Sequence, residues 1–137
     1  MNELQIEPVK IQIRYADLDA LGHINNSNYL TYFEIVRVHY FNELLGKDWD
    51  WRNEGMILAN SSLEFLKPLL IQHEAEVKIS TLSVGTKSFE LYYEISVDDV
   101  VFCSGKSVIV AFNSVRNETI PIPSVMREGL LRLQRSK

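Results

Sequence analysis

The stretch YADLDALGHINNSNYLTYFEIVR, residues 15–37, decides the fold because it joins a predicted strand to a predicted helix through a short polar turn. Two carboxylates, Asp17 and Asp19, lie two residues apart near the end of the strand. Gly22, His23 and a run of asparagines then lead directly into an aromatic and aliphatic helix pattern. The turn therefore puts acids beside a helix N-terminus, where backbone N–H groups lack acceptors. A carboxylate next to such donors suits acyl transfer, because the carboxylate acts on a carbonyl and the donors hold the oxyanion.

The elements around this turn are predicted in the order strand, long helix, four antiparallel strands and terminal helix. Apolar and polar residues alternate from Val9 to Tyr15, which predicts a half-buried strand. From Tyr29 to a stop at Gly46, apolar residues occupy most sides of a helix capped by Ser27 and the preceding asparagines, which predicts a largely buried helix. The later strands are predicted at 57–66, 74–84, 87–97 and a central 100–112, with a turn at Asp98-Asp99, and Ser124 is expected to cap a helix ending at Leu133.

A helix buried on most sides needs a concave partner, and a curved antiparallel sheet supplies one. The predicted fold class is therefore α+β, with residues 1–137 forming a single domain. Such a sheet keeps an open edge, so we expect two or more copies of the chain to associate. Trp49 and Trp51 lie in a predicted loop, where we expect them to be exposed and to pack onto the body or onto a partner.

The composition is that of an ordinary globular chain. Of its 137 residues, 46% are hydrophobic and 23% are charged, and a formal charge of −4 argues against nucleic acid as a partner. Cys103 is the only cysteine, which excludes an intrachain disulfide and fits a cytoplasmic location. The sequence has no apolar signal core and no run long enough to span a bilayer. His39, His73 and Cys103 lack ligand spacing, so no metal site is predicted.

The pattern D-x-D-x-x-G-H-I-N-N-x-x-Y from Asp17 to Tyr29 resembles hotdog-fold acyl-CoA thioesterases of the 4-hydroxybenzoyl-CoA thioesterase-like group, including its Tol-Pal-associated branch. The order of elements extends the resemblance over nearly the whole chain. Weaker similarities lie at Phe65-Leu66-Lys67-Pro68 and at residues 84–88. In the G-H-I-N-N segment the sequence departs from benzoyl-specific and Tol-Pal members. There it is more similar to fatty-acyl and acyl-carrier-protein thioesterases.

The resemblance implies a hotdog dimer, or a dimer of dimers, that hydrolyses acyl-CoA or acyl-carrier-protein thioesters without a cofactor. In the family the second acid of the D-x-D pair is catalytic, and it falls on Asp19. The oxyanion donor, a backbone N–H at the start of the central helix, falls on or near Asn26. The acyl group would lie near the helix and the dimer seam, with the nucleotide at the surface.

Each candidate also has a simpler structural interpretation. Asp19 acts as general base or nucleophile, or else forms a turn with nearby N–H groups. Asp17 acts as a second catalytic acid or, as the favoured interpretation, supports the site structurally by pairing with Arg14 or Arg37. His23 is a candidate catalytic residue that acts as a general base or orients the acid or substrate, or else it fixes the loop through a hydrogen bond.

Glu34 is expected to form an ion pair with Arg37 three residues later.

Other residues are candidates for contact with the substrate. The acyl pocket is predicted between the helix face at Tyr29, Leu30 and Phe33 and strand residues 57–63. The substrate-binding candidates are Asn25, Tyr29, Ser61, Lys67 and Ser88.

Two other functions are compatible with the same fold. One is a non-catalytic protein that binds acyl thioesters or assembles with other proteins, since fold does not fix function. The other is a hotdog hydratase or dehydratase, which is disfavoured because no proline lies between Asp19 and His23, as the Asp-x-Asn-Pro-x-His motif requires. For a thioesterase, the apolar pocket predicts that neutral acyl groups are preferred to dicarboxylic ones and that the rate rises with chain length.

Overall fold

The computed structural model describes residues 6–134 as a curved antiparallel sheet packed against a long helix, which confirms the predicted fold class. The ends of the predicted 1–137 domain, residues 1–5 and 135–137, lie outside the described residues. The elements in chain order are β1 Val9–Ile11, a 3-10 turn Tyr15–Asp17, α1 Asn26–Leu45, β2 Gly55–Phe65, β3 Ala75–Val84, β4 Ser88–Val97, β5 Val100–Asn113, β6 Glu118–Thr119 and α2 Ser124–Arg132.

The strands are arranged in the order β1-β3-β4-β5-β2, and every paired neighbour is antiparallel. β5 lies inside the sheet, as predicted, between β4 and β2, and the short β6 pairs with its end. In β4 every second residue is buried, because one face of the strand packs onto the core. β2 has eleven residues and pairs only with β5 among the described strands, so its outer edge is open.

The central helix is buried on one side only, which corrects the prediction of a largely buried helix. Its inner face consists of Tyr29, Tyr32, Phe33, Val36, Tyr40 and Phe41. Leu30, Ile35 and Val38 are exposed by 41%, 56% and 54%, because the sheet of a single chain covers one side of the helix. The apolar pattern of α1 therefore includes a second, uncovered face.

Helix and sheet approach closely where β5 carries Gly105. A Cβ atom at this position would lie 2.9 Å from Cε2 of Phe33 and 2.8 Å from Cδ2 of Leu63, so only glycine fits without displacement. The Phe33 ring stacks on Tyr93 with centroids 4.5 Å apart. Arg37 then donates a hydrogen bond to the Tyr93 hydroxyl at 3.1 Å.

The orientation of Arg37 makes the predicted Glu34–Arg37 ion pair wrong. The guanidinium turns inward to Tyr93, and the ion pairs found within residues 6–134 join Arg14 to Asp17 and Arg116 to Glu118 instead.

Several predicted boundaries shift for local reasons. The first strand ends at Ile11, and Tyr15 is 83% exposed, because Asp17 binds the Arg14 N–H and tightens the chain into a 3-10 turn. α1 begins before Tyr29, because the N-cap is Asn25, one of the asparagines predicted to cap the helix, and not Ser27.

At the other end of the chain, Ser124 is the first residue of α2 and makes no capping hydrogen bond, so the predicted cap is wrong. The hairpin turn at Asp98 and Asp99 is present, and both residues have positive φ.

The two tryptophans pack onto the body rather than standing exposed. Trp49 donates to the carbonyl of Glu54 at 2.8 Å, and the Trp51 ring meets Phe41 edge to face at 6.1 Å. Both side chains are half-buried, so the prediction of exposed tryptophans that would promote association is wrong. The open edge of β2 is still available for association. Within residues 6–134, no helix combines the length and apolar character needed to cross a membrane.

Candidate functional site

The turn that carries Asp19 is closed by the aspartate itself. Its N–H donates to the carbonyl of His23 at 2.8 Å, and its carbonyl accepts from Gly22, whose φ of +78° suits glycine. Its Oδ1 accepts the N–H groups of Leu21 at 2.9 Å and His23 at 3.2 Å. The turn-forming interpretation of Asp19 is thus correct for one oxygen. Oδ2 has no hydrogen-bond partner within the described chain, and the residue is exposed.

Asp17, two residues earlier, is 1% exposed and fully hydrogen-bonded. Its carboxylate accepts the Tyr32 hydroxyl at 2.6 Å, the Arg14 guanidinium at 2.8 Å and the Arg14 N–H at 3.0 Å. Burial raises the pKa of this carboxyl, but the bonds from Tyr32 and Arg14 outweigh it and hold the pKa below its ordinary value. Of the two predicted partners, Arg14 is confirmed, whereas Arg37 lies against Tyr93.

The main chain of Asp17 is tied to the start of α1. Its carbonyl accepts the Asn25 N–H at 2.9 Å and Nδ2 of Asn28 at 3.0 Å. Asn25 in turn caps the helix, because its Oδ1 accepts the N–H and the hydroxyl of Ser27 at 3.0 and 2.9 Å. The acidic turn and the helix N-terminus therefore form one hydrogen-bonded unit.

A pocket of about 350 Å³ opens beside this unit, where the N-terminus of α1 meets the end of β2. Asn26 is the first residue of α1, so its N–H has no acceptor within the helix. The pocket brings that residue together with the Asp19 carboxylate, and the helix dipole adds positive potential there. Its lining comprises Asp19, His23, Ile24, Asn26, Tyr29, Phe65, Leu66, Lys67 and Pro68.

The apolar wall of the pocket is fastened to the helix through Leu69. The carbonyl of Leu69 accepts the Ile24 N–H at 3.0 Å, and its N–H donates to the buried Tyr29 hydroxyl at 3.3 Å. The Tyr29 ring contacts Phe65 edge to face at 4.9 Å. At the rim, Nζ of Lys67 lies 5.7 Å from the centroid of the Phe102 ring, which keeps a positive charge beside the opening.

The predicted substrate-contact residues divide into two groups. Tyr29 and Lys67 line the pocket, together with the predicted catalytic residues Asp19, Asn26 and His23. Asn25, Ser61 and Ser88 are outside its lining.

The other three predicted contact residues have different surroundings. The side chain of Asn25 caps the helix, and the Ser61 hydroxyl lies 3.1 Å from that of Ser107. Ser88 pairs with Val110 at one end of β4. Ile95, which lies at the level of the pocket, is seven residues further along the strand, a distance of about 23 Å. One chain alone therefore does not bring Ser88 to the pocket.

Sequence reasoning did not assign Phe65, Leu66 or Pro68 to the site, nor Tyr32 to Asp17. The first three lie about forty residues from the motif, and only the β2 pairing register brings them to it. Tyr32 carried a detectable signal, because it lies one helical turn after Asn28, on the same face of α1.

A second pocket, of about 370 Å³, lies at the opposite end of β2. Its apolar part comprises Val38, Phe41, Trp51, Met56, Leu58 and Ile109, and Glu34, Arg37 and Asn42 line the rest. Of the residues in the predicted acyl pocket, Leu58 lines this second pocket, Tyr29 lines the first, and Phe33 is buried in the core.

The other chemical groups do not compete with the acidic turn. Burial raises the pKa of the Cys103 thiol to about 12, so the thiolate is not available as a nucleophile near neutral pH. Among residues 6–134, no three His, Cys, Asp or Glu side chains are grouped so as to hold a metal ion.

Comparison with known families gives a match over most of the chain. The family model described as the thioesterase-like superfamily matches residues 13–130. Among curated proteins, the uncharacterized protein YsmA of Bacillus subtilis is 29% identical over 84 residues, which are 61% of this chain and 56% of the relative. The match thus spans little more than half of that protein's length.

Solved structures resemble the whole fold. A predicted thioesterase from Bacillus stearothermophilus is 25% identical, with a TM-score of 0.85 over 95% of this chain and 97% of the other. A thioesterase from Thermus thermophilus, solved in complex with coenzyme A and Zn, is 27% identical, with a TM-score of 0.81 over 95% and 96% of the two chains.

Proposed function

The chain belongs to the thioesterase-like superfamily, and from this premise we propose that it hydrolyses acyl-CoA thioesters at the pocket beside Asp19. The observation that carries the proposal is the pairing of groups in that pocket. Asp19, whose carboxylate has one uncommitted oxygen, and Asn26, whose N–H has no intrahelical acceptor, line the same opening. Acyl transfer needs these two functions next to each other.

The thioester carbonyl would lie with its oxygen toward the Asn26 N–H, where the helix dipole stabilises negative charge. Two routes then lead to the same products. Asp19 removes a proton from water, whose oxygen attacks the carbonyl carbon and expels the thiolate. Alternatively, the Asp19 carboxylate attacks the carbon itself, the thiolate leaves, and water cleaves the resulting anhydride. In both routes a free acid and a thiol are released, and no electrons are exchanged.

Three further residues would support this reaction. Asp17 holds the acidic turn in place, as its buried contacts with Arg14 and Tyr32 indicate. His23 lines the pocket and donates its backbone N–H to Oδ1 of Asp19, so we assign its main chain to orienting that carboxylate. Lys67 offers a positive charge at the rim for the phosphates of coenzyme A. The coenzyme A complex of the Thermus thermophilus relative supports coenzyme A as the thiol part of the substrate.

We assign the open edge of β2 to self-association. The strand is eleven residues long, and Ile57 and Leu58 are 45% and 47% exposed, a combination that favours pairing with another strand. In an antiparallel pair of two β2 strands, the Phe65 end of one lies beside the Met56 end of the other. The pocket at Asp19 of one copy then adjoins the second pocket of its partner.

That arrangement gives the acyl group a route from Asp19 into the apolar pocket of the second copy. The aromatic and aliphatic lining stabilises the binding of neutral acyl chains by about 0.8 kcal/mol for each methylene buried, until the space is full.

Sedimentation tests the association of two copies, and a single-chain mass at micromolar concentration would contradict it.

The decisive experiment measures thiol release from a series of acyl-CoA substrates by the native chain and by Asp19→Asn. We expect turnover that rises with aliphatic chain length and then levels, and a loss of at least ~10²-fold in kcat for the variant. Malonyl- and succinyl-CoA should be poor substrates, because burying a carboxylate in the apolar pocket is costly.

Other outcomes would point to the two rival functions. A binding protein would retain acyl-CoA in equilibrium dialysis and release no thiol from any member of the series. A hydratase would consume enoyl-CoA, seen as loss of the enoyl absorbance, without producing free thiol. Acyl-carrier-protein thioesters, assayed in parallel, separate the two carriers.

A further inference from the structure

Two side chains of α1 hold Asp17 by contacts that the proposed chemistry does not use. The Tyr32 hydroxyl donates to its carboxylate at 2.6 Å, and Nδ2 of Asn28 donates to its main-chain carbonyl at 3.0 Å. Asn28 and Tyr32 are four residues apart and so lie on one face of the helix. Because Asn28 binds the main chain of Asp17, the helix holds the backbone of that residue as well as its carboxylate.

We propose that Tyr32 and Asn28 are positioning residues, which act through Asp17 to fix the Asp19 carboxylate relative to the Asn26 N–H. This inference depends on the proposed function, because the spacing between the Asp19 carboxylate and the Asn26 N–H matters only if both groups act on the substrate. Neither residue lines the pocket beside Asp19, so neither is assigned a contact with the substrate.

The chain geometry favours such a role. Asp19 follows Asp17 by two residues, and Asn26 precedes Asn28 by two residues, so each reacting group lies close to one half of the anchor. The α-helix is continuous from Asn26 through Tyr32, and Tyr32 is only 3% exposed, so core packing fixes its ring. Movement of Asp17 relative to the helix would therefore change the distance between the reacting groups.

Charge strengthens the anchor. Arg14 pairs with the Asp17 carboxylate at 2.8 Å, and the hydrogen bond from Tyr32 to an ionised carboxylate is charge-assisted and short. The Arg14 side chain is 65% exposed, whereas Asp17 is buried. Without the Tyr32 hydroxyl, the carboxylate would be drawn toward the exposed Arg14 and water, and the Asp19 turn would move with it. Misplacement by about 1 Å costs up to ~10²-fold in rate.

The test compares Tyr32→Phe and Asn28→Ala in the native chain and in the Asp19→Asn background. Each variant should lower kcat about 10-fold in the native chain and leave KM within about twofold, since the contact affects the reacting geometry and not substrate binding. In the Asp19→Asn background the same change should cost less than about twofold, because there is no longer a carboxylate to position.

The matched control is Tyr40→Phe, which removes a hydroxyl from another buried tyrosine of the same helix, two turns further on. It should leave kcat unchanged in both backgrounds. Circular dichroism establishes that each protein is folded. If Tyr32→Phe does not fold, Asn28→Ala decides alone, because it places a strong helix former in the first turn of α1.

The outcomes separate this inference from the proposed function. If the native chain releases no thiol from any acyl-CoA, the proposed function fails, and if Asp19→Asn keeps its turnover, the role of Asp19 in that function fails. If Asp19→Asn is inactive while Tyr32→Phe and Asn28→Ala keep native kcat, only the positioning role is overturned. An equal loss of kcat in both backgrounds would also overturn it, because the two residues would then act independently of Asp19.

Discussion

Asp17 and Asp19 are two residues apart on one turn, yet their surroundings are opposite. Asp17 is 1% exposed and bound by Tyr32 and Arg14, whereas Asp19 is exposed and binds two backbone N–H groups through a single oxygen. A buried carboxylate with both oxygens hydrogen-bonded is suited to holding structure. One with a free oxygen in a pocket is suited to chemistry. In the proposed function, Asp17 therefore contributes mainly stability and Asp19 reactivity.

The largest effect is expected from removing the donor opposite Asp19. Asn26 is the first residue of α1, a position at which proline is tolerated because its N–H has no helical acceptor. Asn26→Pro should lower kcat by ~10²- to 10³-fold, since it deletes the N–H that we propose holds the oxyanion. Asn26→Ala is the matched control, because it changes the side chain and keeps the N–H. Equal rates for the two variants in thiol release would remove the oxyanion role from this position.

A smaller effect, on stability, is expected at Asp17. Asp17→Asn loses the ion pair with Arg14 and weakens the bond from Tyr32 in a buried site, which should cost about 2 kcal/mol in the free energy of unfolding. Asp19→Asn, at an exposed position, should cost less than about 1 kcal/mol. Urea denaturation of both variants measures the difference. A larger loss for Asp19→Asn would reverse the comparison.

The next effect concerns the far end of β2 and the proposed path of the acyl chain. Leu58→Trp should fill part of the second pocket and lower kcat/KM for long acyl-CoA by about fourfold for each methylene excluded. Short acyl-CoA should be unaffected. Ile57→Trp is the control, because Ile57 pairs with Val110 on the other face of the sheet. Equal losses for short and long chains would place the acyl group elsewhere.

The smallest effect is the pH dependence of stability. The pKa of Asp17 is below its ordinary value of 3.8 in the folded chain, so the unfolded chain binds its proton more readily. The contribution of Asp17 is therefore present above the unfolded pKa and is lost as the pH falls through the lower, folded value. Between neutral pH and about pH 3, the melting temperature of Asp17→Asn should depend less steeply on pH than that of the native chain. An identical slope in both proteins would show that other carboxyls dominate.

The order of elements could be predicted from the sequence because its signals are local. Alternation in Phe89 to Val97 gives β4, and the spacing after Tyr29 gives α1. The burial of α1 was overestimated, because an apolar pattern alone does not show which face of a helix the sheet covers. Ile35 and Val38 are apolar, yet they lie on a face that the chain leaves exposed. The exposure of Trp49 and Trp51 was overestimated for a related reason, since the contact of Trp51 with Phe41 is made by tertiary packing.

The acidic half of the site could also be predicted, because Asp19, His23 and Asn26 lie within eight consecutive residues. The apolar wall could not, since Phe65 and Leu66 reach the pocket only through the register of β2 with β5. Ser88 shows the converse limit. Its position at a strand end resembled a ligand site, but strand pairing puts it at the other end of the sheet.

The most direct test of the division between the two acids is to measure kcat for thiol release by Asp17→Asn and Asp19→Asn on the same acyl-CoA at saturating concentration. We predict that Asp19→Asn loses at least ~10²-fold, and that Asp17→Asn, assayed where it is fully folded, loses several times less. A greater loss for Asp17→Asn would contradict this assignment and place the reacting carboxylate at the buried acid.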